Sequence, residues 1–199
     1  MVLAAMIAAV GIYLDSEILI VGEMVVGPEF GPLAAFSVAA IHRRGKQALR
    51  SLVALAAGFP LAIGAAWLTT VALRAAGAIP DDLNLEHGLA RVISEPDALS
   101  FIVAFCAGVA GMVSLSTAKS GALIGVLISV TTIPAAANVG VGLAYDDGHA
   151  WRGSLAQLGV NLGAIVLAGL LTLGIQRALY ARRRTRHLRE LDEKRGPLL

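Results

Sequence analysis

The chain has 199 residues, 57% of them hydrophobic and only 15% charged, with a net charge of +2 and a mean hydropathy of +0.75. A soluble domain carries about 45–50% apolar and about 25% charged residues, so this composition excludes an ordinary soluble globule and points to a chain that crosses a membrane several times. The single cysteine, Cys106, excludes an intrachain disulfide and any cysteine-based metal cluster; set in an apolar run, it reads as a packed thiol.

Crossing a hydrocarbon core of about 30 Å takes about 20 apolar residues as a helix. Six segments are read as spans. Residues 1–14 form a short first span; the absence of any Lys or Arg before Arg43 argues against a signal peptide, which opens on a basic stretch. Residues 17–41 form the second span and 48–76 the third, with Pro60 as its kink. Residues 99–116 form the fourth span, followed by the short turn TAKS. Residues 120–144 form the fifth, broken near Pro134, and 154–179 the sixth. The expected organisation is a transmembrane domain over 1–180 and a basic cytoplasmic tail over 181–199.

Charge alternates along these segments. The connection HRRGKQALR carries four Lys/Arg and no acid, the turn after the fourth span carries Lys119, and the tail from Arg177 carries eight Lys/Arg against three acids. The other span ends hold nine acids, from Asp15 to Asp147, and three bases, Arg74, Arg91 and Arg152. Six spans with both termini in the cytoplasm satisfy the positive-inside rule at every connection. The same rule accounts for the basic tail, which lacks the interleaved aromatics of a nucleic-acid-binding surface; no nucleic-acid partner is expected.

The second span holds the stretch ILIVGEMVVGPEFGPLAAF. Pro28 and Pro32 each lack an N–H and remove an intrahelical bond, and Gly27 and Gly31 add backbone freedom. Such an interruption is tolerated at membrane depth only inside protein or beside water. Glu23 and Glu29 lie in the same span, and an ionised carboxylate at a helix centre costs about 2.5–3.5 kcal/mol on insertion scales. The expectation is a polar site at the break, where an oxygen-rich set suits a cation and half-helix N-termini suit an anion, the alternative being glutamates that face a subunit interface or are held neutral by burial. A second interruption, ISVTTIPAAANVGVG, carries Thr131, Thr132, Pro134 and Asn138.

The segments leading into the two interruptions align at an offset of 103 residues, matching Gly22 to Gly125, Met24 to Leu127 and Val25 to Ile128. A shift of three spans inverts orientation, so the expected fold is an all-α polytopic bundle of six spans, a three-plus-three inverted repeat with paired broken helices and a site near the midplane. Lys119 opens the fifth span beside Ser114, Ser116, Thr117 and Ser120, a cluster suited to an anionic group at a helix N-terminus or to a topology anchor. Asn138, Gln157 and Asn161 supply groups for interhelical hydrogen bonds. GALIG and GVNLG are GxxxG segments, the spacing of close helix contacts within or between subunits. The four histidines fall in loops or the tail without metal-ligand spacing, so neither metal nor cofactor is expected.

LDSEILIVGEMVVGPEFGPL resembles the pattern LxxDSxxVxIGAMLxxPxxGP of a bacterial and archaeal membrane-protein family, domain of unknown function 389. The likeness continues through SLSTAKSGALIGVLISVTTIPAAANVGVGLA and VNLGAIVLAGLLTL. It implies an integral inner-membrane protein, regarded as a transporter with no assigned substrate. Asp15, Ser16, Pro28, Pro32, Lys119, Ser120, Pro134 and Asn138 fit the shared framework. Glu23 and Glu29 depart from it, standing where the family has apolar residues.

Function is therefore expected to be passage of a small solute or ion, by a transporter or channel, along Asp15, Ser16, Glu23, Gly27, Pro28, Glu29, Gly31, Pro32, Lys119, Ser120, Thr131, Thr132, Pro134, Asn138 and Asn161. Expected partners are membrane lipids and further copies of the chain. A lipid-directed membrane enzyme and a non-transporting scaffold are the alternatives. No HExxH, GxSxG or Cys–His arrangement supports an enzyme, and no phosphate-binding GxxxxGK[ST] loop supports ATP-driven pumping.

Overall fold

The computed structural model describes residues 1–116 and 131–195, with side chains described as far as 180. Among these residues the chain forms eight α-helices and no strand: α1 (Val2–Tyr13), α2 (Glu17–Val26), α3 (Phe30–Ile41), α4 (Gly45–Ala75), α5 (Gly88–Ser94), α6 (Ala98–Ser116), α7 (Thr132–Ala144) and α8 (Gly148–Arg195). Three of them, α4, α6 and the part of α8 up to Tyr180, are long and apolar enough to cross a membrane. The pair α2 and α3 qualifies together, bent by 48° at its break. At 12 and 13 residues, α1 and α7 extend about 18–20 Å, less than the hydrocarbon thickness.

The bend follows from backbone chemistry. Pro28 has no N–H to offer the carbonyl of Met24, and Pro32 none to offer that of Pro28. Helix α2 therefore stops at Val26, and α3 restarts at Phe30 with Pro32 in its first turn, where an N–H has no intrahelical partner anyway. α7 begins at Thr132, so Pro134 falls in a first turn, as Pro32 does in α3, a position that proline tolerates. Residues 117–130, which lead into it and include Lys119 and Ser120, lie outside the described residues.

Helix α7 is the centre of the bundle. Every residue from Thr132 to Gly142 is buried, and the helix packs against α1, α2, α4, α5 and α8. A helix apolar on all sides belongs inside, and small residues let its neighbours approach. A Cβ on Gly140 would stand 2.5 Å from the Ile63 carbonyl oxygen on α4. The facing surfaces are alanines, among them Ala5 and Ala8 on α1, Ala62 and Ala66 on α4, and Ala135, Ala136 and Ala137 on α7. The outside is the reverse: Leu3, Ile18, Leu49, Leu61, Leu68 and Leu99 are all more than 60% exposed, a continuous apolar surface that suits lipid rather than water. Cys106 joins this outer surface and is exposed, not packed as its apolar context suggests.

The offset of 103 residues recurs in the backbone, well outside the stretch where the sequence carries it. After α3, His42 N–H donates to Val38 O, Arg43 to Ala40 O and Arg44 to Ala39 O; after α7, Tyr145 donates to Val141 O, Asp146 to Leu143 O and Asp147 to Gly142 O. Each acceptor and each donor in the second set is 103 residues beyond its counterpart. Arg43 and Asp146 both adopt left-handed backbone, with φ of 54° and 55°. Helices α4 and α8 then begin at Gly45 and Gly148, while α1 and α6 end at Tyr13 and Ser116. The packing repeats as well: α1 lies on α4 as α6 lies on α8, and α4 lies on α7 as α8 lies on α3.

Candidate functional site

The break between α2 and α3 carries two carboxylates into the interior. Glu23, one turn before the end of α2, is 0% exposed, and Glu29, directly before α3, is 1% exposed. They are near enough for their charges to act on each other. The first residue of α7 faces them: Thr132 Oγ1 donates to Glu29 Oε1 at 2.9 Å. Glu29 Oε2 and both oxygens of Glu23 have no hydrogen-bond partner among the described residues. Gly27 makes room for this arrangement, because a Cβ there would run into Glu29 Oε2. Hydrogen bonds to charged groups contribute about 1.5–3 kcal/mol, and buried carboxylate oxygens left without one incur a penalty of similar size. The pair is therefore an unusual concentration of unmet polarity.

Polar groups continue beyond Thr132. Asn161 on α8 is 1% exposed and donates to Thr131, to Oγ1 at 2.9 Å and to the carbonyl at 3.3 Å. Its Oδ1 accepts from Gln157 Nε2 at 3.3 Å, and Gln157 Oε1 is a further buried acceptor without a donor among the described residues. Thr131 and Asn161 line a cavity of about 240 Å³ with Asp97, Ser100 and Ala104. On the other side of the break, Gly27, Pro28 and Gly31 border an apolar cavity of about 490 Å³ beneath Phe30 and Leu115.

The site residues expected from sequence thus divide. Glu23, Gly27, Pro28, Glu29 and Thr132 meet at the break, with Gly31 and Pro32 in the adjoining turn of α3 and Thr131 and Asn161 next to Thr132. Asp15 is elsewhere: in the turn between α1 and α2, with φ of 46°, it accepts the Leu89 N–H at the start of α5 at 2.8 Å. Ser16 precedes α2 without a side-chain capping bond. Asn138 lies further along α7 and donates to the Ala90 carbonyl at 3.0 Å and to Ser154 Oγ at 2.8 Å, joining α7 to α5 and α8. Asp97, which no motif marks, stands at the cavity mouth and accepts the Ser100 N–H at 2.6 Å. The Ser100 side chain and this N–H hold its carboxyl below the ordinary range. Its signal is the capping spacing D-x-x-S ahead of an apolar run.

The chain is similar to an uncharacterized protein, MJ0678, of Methanocaldococcus jannaschii, at 28% identity over 173 residues; the match covers 84% of this chain and 51% of that protein. The chain thus spans about half the length of that curated relative. No solved structure matches it. The model of one family, described as "Domain of unknown function (DUF389)", matches residues 24–167. That match takes in the break, the Glu29–Thr132 contact and the Asn161 cavity, and the chain belongs to this family.

Proposed function

We propose that the chain is a multi-pass inner-membrane protein that passes a small solute or ion, as transporter or channel, through a site at the α2–α3 break. The single observation that carries this reading is the contact of fully buried Glu29 with Thr132. A carboxylate held at membrane depth is a costly feature that function, rather than stability, explains. The proposed architecture is six spans in two halves: α1 to α4, and residues 98–195. Three spans per half invert the second half relative to the first. The duplicated turns at 42–44 and 145–147 and the duplicated packing support this. The basic connection at 42–50 and the basic tail support an orientation with both termini in the cytoplasm. Gly159 and Gly163 have open space before them, a face on which a second copy of the chain would pack.

Reconstitution into liposomes tests the reading. Passage of a panel of small ions and solutes is expected for the wild-type chain and its loss for Glu29→Gln. A wild-type protein that passes none of them, or a variant that passes them undiminished, overturns it.

A further inference from the structure

We propose that Glu23 and Glu29 form the binding site of a monovalent cation, a proton or an alkali-metal ion, taken up from the side of the membrane that Asp97 faces. This deepens the reading of the break as a transport site and rests on it.

Three features point to the ligand. First, three carboxylate oxygens are fully buried and without a donor among the described residues. A cation bound between them would offset their charge. Second, among the described residues positive side chains stay away. α1 and α7 carry no Lys or Arg, and those of α4 lie toward its ends. Arg177 of α8 donates to the Ile41 carbonyl, a full α3 length or about 18 Å from Glu29. Tyr13, at the far end of α1, is engaged with Thr70. Third, the ligands are hard oxygens: two carboxylates and the Thr132 hydroxyl that touches one of them. No third His, Cys, Asp or Glu joins them among the described residues. These oxygens are fewer than the six to eight that a calcium ion takes, which suits a monovalent ion better.

The route follows from the same offset of 103 residues. Glu29 and Thr132 stand at that separation and touch. Residues that a pseudo-twofold exchanges can touch only near its axis, so the contact marks the middle of the molecule. Ala104, Thr131 and Asn161 line the Asp97 cavity; 103 residues earlier, Met1, Pro28 and Gly58 line a cavity of about 540 Å³. Each cavity reaches a neighbour of the Glu29–Thr132 contact, Thr131 in the first and Pro28 in the second. The first sets Asp97, Ser100, Thr131 and Asn161 among Leu99, Val103 and Ala104, whereas the second has Pro28 for Thr131 and Gly58 for Asn161 and no charged or hydroxyl side chain. Only the Asp97 side gives a charged species polar company up to Thr131, the residue next to Thr132.

Binding is measured on the purified chain in detergent, apart from any flux. One arm follows radiolabelled sodium and potassium, and the other follows proton uptake by the carboxyl band in infrared difference spectra. The expected result is binding of one of these cations by the wild-type chain, a loss of at least tenfold in Glu23→Gln and in Glu29→Gln, and slower uptake in Asn161→Leu. The two Gln variants keep the side-chain shape, and near-wild-type elution from a sizing column checks that they are folded. A wild-type chain that binds neither protons nor alkali ions overturns the proposal, as do folded Gln variants that bind like the wild type. Cation binding without passage of any solute overturns the transport reading and leaves the site standing. Passage that ignores both cations overturns the site and leaves transport standing.

Discussion

Arg74 and Arg177 make the same contact at opposite ends of the bundle. Arg74, near the end of α4, donates from Nη1 to the carbonyl of Ala144, the last residue of α7, at 2.8 Å. Arg177 on α8 donates from Nη1 to the carbonyl of Ile41, the last residue of α3, at 2.7 Å. Donors and acceptors are each 103 residues apart. Each arginine satisfies a carbonyl that its helix end would leave without a partner and complements the negative end of the helix dipole. Each also ties one half of the chain to the other.

The two contacts differ in their surroundings, and so should their loss. Arg74 also lies 4.5 Å over the Tyr145 ring and donates to the Asp81 carbonyl. Arg74→Ala is expected to lower the unfolding free energy in detergent by about 1.5–3 kcal/mol. Arg177 is exposed, and Arg177→Ala is expected to cost about 1 kcal/mol or less. Equal effects of the two substitutions on thermal unfolding would contradict this ordering.

These duplicated contacts explain what was legible beforehand. The bend between α2 and α3 was readable because Pro28 and Pro32 force it by covalent structure alone. The offset of 103 showed in only a few positions, Gly22, Met24 and Val25 among them. The matching turns were hidden, since His42, Arg43 and Arg44 share no chemistry with Tyr145, Asp146 and Asp147. Under the proposed inversion the reason is physical: one turn faces the cytoplasm and is selected for bases, and its counterpart faces away and is not. Backbone geometry survives a change of side where charge does not. Pro134, like Pro32, stands in the first turn of a helix, and sequence alone does not tell that position from the break itself. Asn138 and Asp15 have polar side chains that the fold uses for bonds between helices, a role that residue type alone does not separate from a binding role.

Glycine substitutions separate packed from open helix faces. Gly140→Ala would bring its Cβ to 2.5 Å from the Ile63 oxygen and 2.8 Å from the Ala66 Cβ, so α7 and α4 must part. A loss of about 1–3 kcal/mol is expected. Gly159→Ala on α8 meets nothing within 4 Å, and removing a glycine from a helix interior should gain about 0.5–1 kcal/mol. Unfolding of the monomeric chain in detergent measures both. A gain from Gly140→Ala would mean that α7 and α4 do not approach as described.

Thr132 offers a test of the buried pair that leaves its carboxylates in place. Thr132→Val keeps the volume and removes the donor to Glu29 Oε1, so that none of the four carboxylate oxygens keeps a described donor. Thr132→Ser keeps the hydroxyl. The valine variant is expected to be destabilised by about 1–3 kcal/mol and the serine variant by less. A valine variant as stable as the serine variant would show that the hydroxyl does not hold Glu29.

Asp97 makes stability depend on acidity from outside the spans. It precedes α6 and accepts the Ser100 N–H, and the Ser100 side chain with this N–H keeps its carboxyl below the usual range. A carboxyl with a lowered value in the folded chain binds a proton less readily folded than unfolded. Its contribution is therefore present in full above about pH 4, the ordinary carboxylate value, and is lost as pH falls below it. Asn is as good a helix cap as Asp and does not titrate. Asp97→Asn should thus match the wild-type unfolding temperature near neutral pH and lose less of it on acidification from pH 5 to 3. Parallel unfolding curves for the two chains across that interval would mean that the Asp97–Ser100 cap does not carry the acid sensitivity assigned to it.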